Sequence, residues 1–116
     1  MSDSPAVAAV DLLARSGTGP LWGLASTDLN ATLLAWPPGA GVDEHVNPEL
    51  DVLVIVLDGR GSVSVDGETH ALAPGSAILI PRATRRAISA GDTGLRYLSV
   101  HRRRGPLQIQ PAPEPG

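Results

Sequence analysis

Apolar residues in this chain come in short bursts, either at every second position or in unbroken runs of about half a dozen. The bursts are NATLLAW (30–36), VLVIVL (52–57), SVSV (62–65), THALA (69–73), SAILI (76–80), RRAIS (85–89) and LRYLSVH (95–101). Several alternate or are rich in β-branched residues, which is the pattern of half-buried strands. Turn signals separate them at Pro38-Gly39, Asp58-Gly59, Asp66-Gly67, Pro74-Gly75 and Gly91-Asp92, three of these eight residues apart. That rhythm predicts a meander of short strands. Asp66-Gly67 is the strongest hairpin signal, because a two-residue type I′ turn needs positive φ at both positions.

Only residues 5–15 predict a helix. Ser4 would cap it, Pro5 would take its first position and Gly17 lies beyond its end. The ending QPAPEPG suits neither a ladder nor a helix and reads as a flexible tail. The pattern as a whole predicts an all-β domain, a sandwich or small barrel that closes its sheet edges. Its organisation would be an N-terminal segment (1–19), a barrel (20–104) and a C-terminal extension (105–116). In VLVIVL both faces are apolar, so one face would be buried in the barrel and the other against a further surface.

Composition narrows the chemistry. A chain of 116 residues supports one core, and its 11 Pro and 13 Gly fit many turns better than long helices. With no cysteine, disulfides, thiolate catalysis and Cys-ligated zinc are excluded, and any metal would need N and O ligands. The longest apolar run is six residues, too short for a membrane span. The first residues lack a basic stretch and Asp11 interrupts their apolar run, so a cytoplasmic location without membrane association is expected.

A net charge of −3 argues against a general nucleic-acid partner. The run Arg102-Arg103-Arg104 reads as a solvated strand end. All nine basic residues are Arg and there is no Phe, so Trp22 and Trp36 are expected to fill the largest core or interface gaps. His70, on the hairpin, reads as a surface histidine.

Candidate chemistry concentrates in GAGVDEHVNPELD (39–51), where one His, one Asn and four carboxylates fall within nine residues. Gly39, His45 and Gly59 stand at the spacing of Gly, five residues, His-x-His, four residues, Glu, six residues, Gly, with Asn47 and Val52 at the second His and the Glu. Gly75 and Pro81 fit Gly, five residues, Pro-x-Gly, two residues, His, three residues, Asn, with Ala83, Arg86 and Ala90 at the later positions. These two segments resemble the paired motifs of the cupin superfamily, a small jelly-roll β-barrel. The resemblance implies a barrel with a mouth, and in cupins that hold a metal it implies three His and one Glu there, a set suited to Fe, Mn, Ni, Cu or Zn.

Of those four ligand positions this chain keeps His45 alone. Asn47 offers a weak carbonyl oxygen, Val52 nothing, and Arg86 a permanent positive charge. A unit charge about 5 Å from a divalent cation costs roughly 6 to 7 kcal/mol at an effective dielectric near 20. The leading expectation is therefore no metal cofactor and a pocket in which His45, Asn47, Arg86 and Tyr97 bind a small polar or anionic molecule.

Several alternatives stay open. Arg86 could pair internally with Asp43, Glu49 or Asp51. A redrawn transition-metal site could draw on His45, Asn47, Asp51 and His101, as in a metal-dependent cupin dioxygenase or isomerase. A third reading is a structural dimer module without ligand. Asp51 and Val52 are adjacent, so only one of them points into a barrel. Leu98 and Val100 form the more apolar face of the last strand, which would turn His101 outward. No nucleophile or paired carboxylate stands beside His45, so the sequence does not decide whether a reaction is catalysed. Cupins of this kind commonly pair, so a homodimer is expected.

Overall fold

Val52, Val54 and Val56 alternate with Leu53, Ile55 and Leu57, and this segment opens the first of two long strands that organise the molecule. The computed structural model describes residues 9–103. Its strands are β1 (Gly19–Ala25), β2 (Leu29–Trp36), β3 (Gly41–Val46), β4 (Val52–Val65), β5 (Glu68–Leu72), β6 (Ala77–Ile80) and β7 (Arg85–Arg102). All pairings are antiparallel. β4 and β7 run side by side along almost their whole length, and each serves two layers.

In one layer the first half of β4 pairs with β6 while the last half of β7 pairs with β2, and β2 in turn pairs with β1. In the other, the end of β4 pairs with β5 and the start of β7 with β3. The layers meet where the register of β4 and β7 shifts, between Val56 and Asp58 and between Gly59 and Gly61. Bulges of this kind bend a strand and turn a barrel corner. The corner also explains Gly59: it sits at φ 78°, and a Cβ there would collide with the Gly94 carbonyl.

The two layers close over a core of Val52, Val54, Val56, Val63, Leu72, Ile80, Ala90, Leu95 and Tyr97. Burying a Val, Leu or Ile side chain of this kind stabilises by about 1.5 to 3 kcal/mol. The result is an all-β, jelly-roll barrel.

Three sequence expectations change. Asp58-Gly59 and Gly91-Asp92 are not turns between strands but bends inside β4 and β7, so VLVIVL and SVSV belong to one strand, as do RRAIS and LRYLSVH. The helix over 5–15 is absent wherever the chain is described: residues 9–15 hold no helix, and the earlier part lies outside the described residues. There the Asp11 carboxylate accepts the Leu13 amide at 3.0 Å, a local bond that competes with helical pairing. Finally, towards the end of β7 Leu95 and Tyr97 are buried while Leu98 and Val100 are only partly so, and the face shared with Ser99 and His101 turns inward, against the expectation drawn from Leu98 and Val100. The more apolar face of this half of the strand is the outer one.

Asp66-Gly67 forms the β4–β5 hairpin with φ of 49° and 84°. His70 lies on β5, its Nε2 3.2 Å from Glu68 Oε1 at the surface. The tail 105–116 and Arg104 lie outside the described residues.

Candidate functional site

The open end of the barrel lies opposite the corner. β3 brings His45 across from Arg86 on β7, the start of β4 contributes Val52 and Val54, and the end of β7 contributes Ser99 and His101. These side chains, with Leu34, Ile80, Ile88 and Tyr97, line an inner chamber of about 110 Å³. A wider hollow of about 520 Å³ lies outside it, bordered by Asn30, Asp43 and Glu44, and shares His45, Ser99 and His101 with the chamber. The two hollows therefore meet at a rim that includes both histidines, with Leu34, Val42 and Ser99.

Arg86 is the unusual member. It is 3% exposed, and its Nη1 is buried with no hydrogen-bond partner among the described residues. Desolvation lowers the guanidinium below its ordinary value, although an arginine stays charged at neutral pH. The carboxylate of Asp51, one of the partners considered for it, instead accepts the Arg82 backbone amide at 2.8 Å on the exterior. Of the adjacent pair Asp51 and Val52, Val52 is the one that points inward.

Asn47 stands elsewhere than the sequence suggests. It is 1% exposed and does not line the chamber. Its Oδ1 accepts the amides of Glu49 and Leu50 at 3.0 and 3.2 Å, and its backbone carbonyl accepts the Ala83 amide at 2.7 Å. The short amide side chain closes the β3–β4 loop, an Asx turn that a ligand contact would break.

The two rim histidines are oriented by backbone. His45 Nδ1 lies 2.9 Å from the Asp43 carbonyl, so that nitrogen donates. His101 Nδ1 donates to the Arg102 carbonyl at 2.8 Å, and its Nε2 lies 3.3 Å from Asn30 Nδ2. Deeper in, Tyr97 is 2% exposed and its hydroxyl accepts the Trp36 Nε1 hydrogen at 3.1 Å. Burial pushes this phenol up from its ordinary value, and the indole hydrogen bond partly offsets the rise. Chamber walls such as Leu34, Val42, Ile80 and Ile88 carried no motif signal and could be found only once strand facing was known.

The sequence of residues 32–101 matches the family model described as the cupin domain. The chain belongs to the cupin family. No curated protein sequence matches this cupin. Among solved structures it is similar to a protein from Bacillus halodurans (TM-score 0.73, 22% identity, 90% of this chain and 86% of that one). It also resembles a cupin protein from Bacteroides fragilis (TM-score 0.70, 22% identity, 95% and 92% covered) and KdgF from a Halomonas species (TM-score 0.68, 24% identity, 76% and 82% covered). At these identities the likeness concerns the fold.

Cupin folds can hold a metal, and the residues of this cupin do not fit one at the family position. Val52 supplies no donor atom, the Asn47 carboxamide is committed to its loop, and the Arg86 guanidinium lies in the chamber. Among the described residues no three of His, Asp and Glu gather closely enough to hold an ion. His45 and His101 share the rim, but Asp51 faces away from it.

Proposed function

We propose that this cupin domain binds a small anionic organic molecule inside its barrel, at a site that uses no metal, with Arg86 as the anchor. The observation that carries the reading is Arg86, which lines the chamber and whose buried Nη1 has no hydrogen-bond partner among the described residues. A buried charge without a counter-charge costs several kcal/mol. A bound anion removes that cost and forms charge-assisted hydrogen bonds, roughly twice as strong as neutral ones. Ser99 supplies a polar contact beside Arg86, and Tyr97 forms part of the inner wall.

Among the described residues His45 and His101 gather no third metal ligand, and the domain acts as a binding module. A homodimer in which the outer face of the larger layer is covered accords with the same architecture. The test is elemental analysis of tag-free protein purified without chelator, beside thermal-shift measurements with a panel of small anions. The expected result is far less than one transition metal per chain and an Arg86-dependent rise in melting temperature with at least one anion. About one metal per chain, lost on His45→Ala, would overturn the proposal.

A further inference from the structure

The chamber's chemistry specifies its ligand more narrowly than charge alone. Among the described residues Arg86 is the only Arg or Lys that lines it, and the remaining wall is mostly Leu34, Val52, Val54, Ile80 and Ile88. The geometry points to a monocarboxylate on a compact apolar body, its carboxylate on the Arg86 guanidinium and its hydrocarbon against those five side chains. This inference rests on the proposed anion site and names the class of molecule that the site takes.

Charge balance comes first. One guanidinium neutralises one carboxylate, and the planar fork of the one matches the two oxygens of the other. A phosphate dianion would carry a second charge into a wall that offers no second cation, and uncompensated charge in apolar surroundings is strongly disfavoured. Both rim imidazoles direct Nδ1 to backbone carbonyls, so those donors are already used.

Hydrogen-bond balance comes second. A sugar acid would bring several hydroxyls against Val, Leu and Ile side chains, where each loses its water partners without replacement. A hydrocarbon body gains from the same walls.

Size comes third. A dry apolar cavity of about 150 Å³ is known to hold benzene, and the chamber is about 110 Å³. A body of roughly four to six carbons is therefore the upper limit inside it. Longer molecules would have to project between His45 and His101 into the outer hollow, whose border includes the carboxylates Asp43 and Glu44. Those acids oppose a second negative group at the far end of the ligand and so disfavour dicarboxylates.

The experiment titrates the full chain with isovalerate, its neutral isostere isovaleramide, succinate, gluconate and inorganic phosphate, by calorimetry and by methyl and arginine side-chain NMR. Isovalerate is expected to bind at least about tenfold more tightly than each of the others, shifting the Arg86 guanidinium signals together with the Ile80, Ile88 and Val54 methyls. In Arg86→Met, whose apolar side chain suits the same space, that binding should fall by about tenfold or more. The urea midpoint of the variant should stay at or above the wild-type value, which shows that it is folded. If gluconate, succinate or phosphate binds through Arg86 while isovalerate does not, the anion site stands and the inference of a monocarboxylate with an apolar body fails. If isovaleramide binds as well as isovalerate, the inference also fails. If none of the anions binds the wild type, both readings fall.

Discussion

Ala83 sits at φ 65°, in the left-handed region where a Cβ crowds the backbone. It occupies the place that the cupin motif gives to glycine, and its amide still makes the 2.7 Å bond to the Asn47 carbonyl that ties the β6–β7 turn to the β3–β4 loop. The strain costs about 1 to 2 kcal/mol, and a glycine would return about 0.5 to 1 kcal/mol of that as unfolded-state entropy. Ala83→Gly should therefore stabilise the protein by about 0.5 to 1 kcal/mol, read as a higher urea midpoint with an unchanged slope. Tyr97 offers a second residue-scale prediction. Its folded-state pKa is raised by burial, so its contribution to stability is fully present below the unfolded value near 10 and is lost as pH rises toward the folded one. It is the only tyrosine, so tyrosinate absorbance reports it alone. Titration should show a midpoint above that of free tyrosine, with the melting temperature falling over the same pH range. Trp36→Phe should move the midpoint higher still, because the indole hydrogen bond favours the phenolate. A midpoint at the free value would contradict the burial of this phenol.

Among the elements, β2, β5 and β6 were legible from alternation and their flanking turns to within a residue or two, and the Asp66-Gly67 hairpin from its turn chemistry alone. β1 and β3 were not. GPLWGLA carries two glycines and a proline, and GVDEHV carries two acids and a histidine, so neither shows an apolar face by itself. Their pairing with β2 and β7 makes them strands, an instance of tertiary context overriding propensity. The long strands misled in the opposite way. Asp-Gly and Gly-Asp normally end a strand, yet here the same glycine freedom bends β4 and β7 without ending their pairing. The site divided along the same line. Motif spacing put His45 and Arg86 at one mouth, and the register pairs them directly. It could not show that Asn47 turns into its own loop or that His101 faces inward, because one depends on a two-residue hydrogen bond and the other on which apolar face the barrel encloses.

At the scale of the whole molecule, the outer face of the larger layer carries a cross-strand apolar row of Leu79, Leu53, Val100, Ala31 and Leu24. Of these, Leu79 is 58%, Leu24 39% and Leu53 36% exposed. Five strands span about 20 Å, and a contiguous apolar surface on this scale favours self-association. Light scattering at working concentration should give a dimer mass, and Leu53→Glu with Leu79→Glu should give a monomer that retains the wild-type circular dichroism. A monomeric wild type would exclude the pairing. The shared strands have a mechanical consequence. Because β4 and β7 each continue from one layer into the other, the two layers are tied together by two shared strands and not by a single loop. If the proposed ligand site holds, the chamber would act as a gauge of nearly fixed bore, sorting molecules by refusing those too large for it.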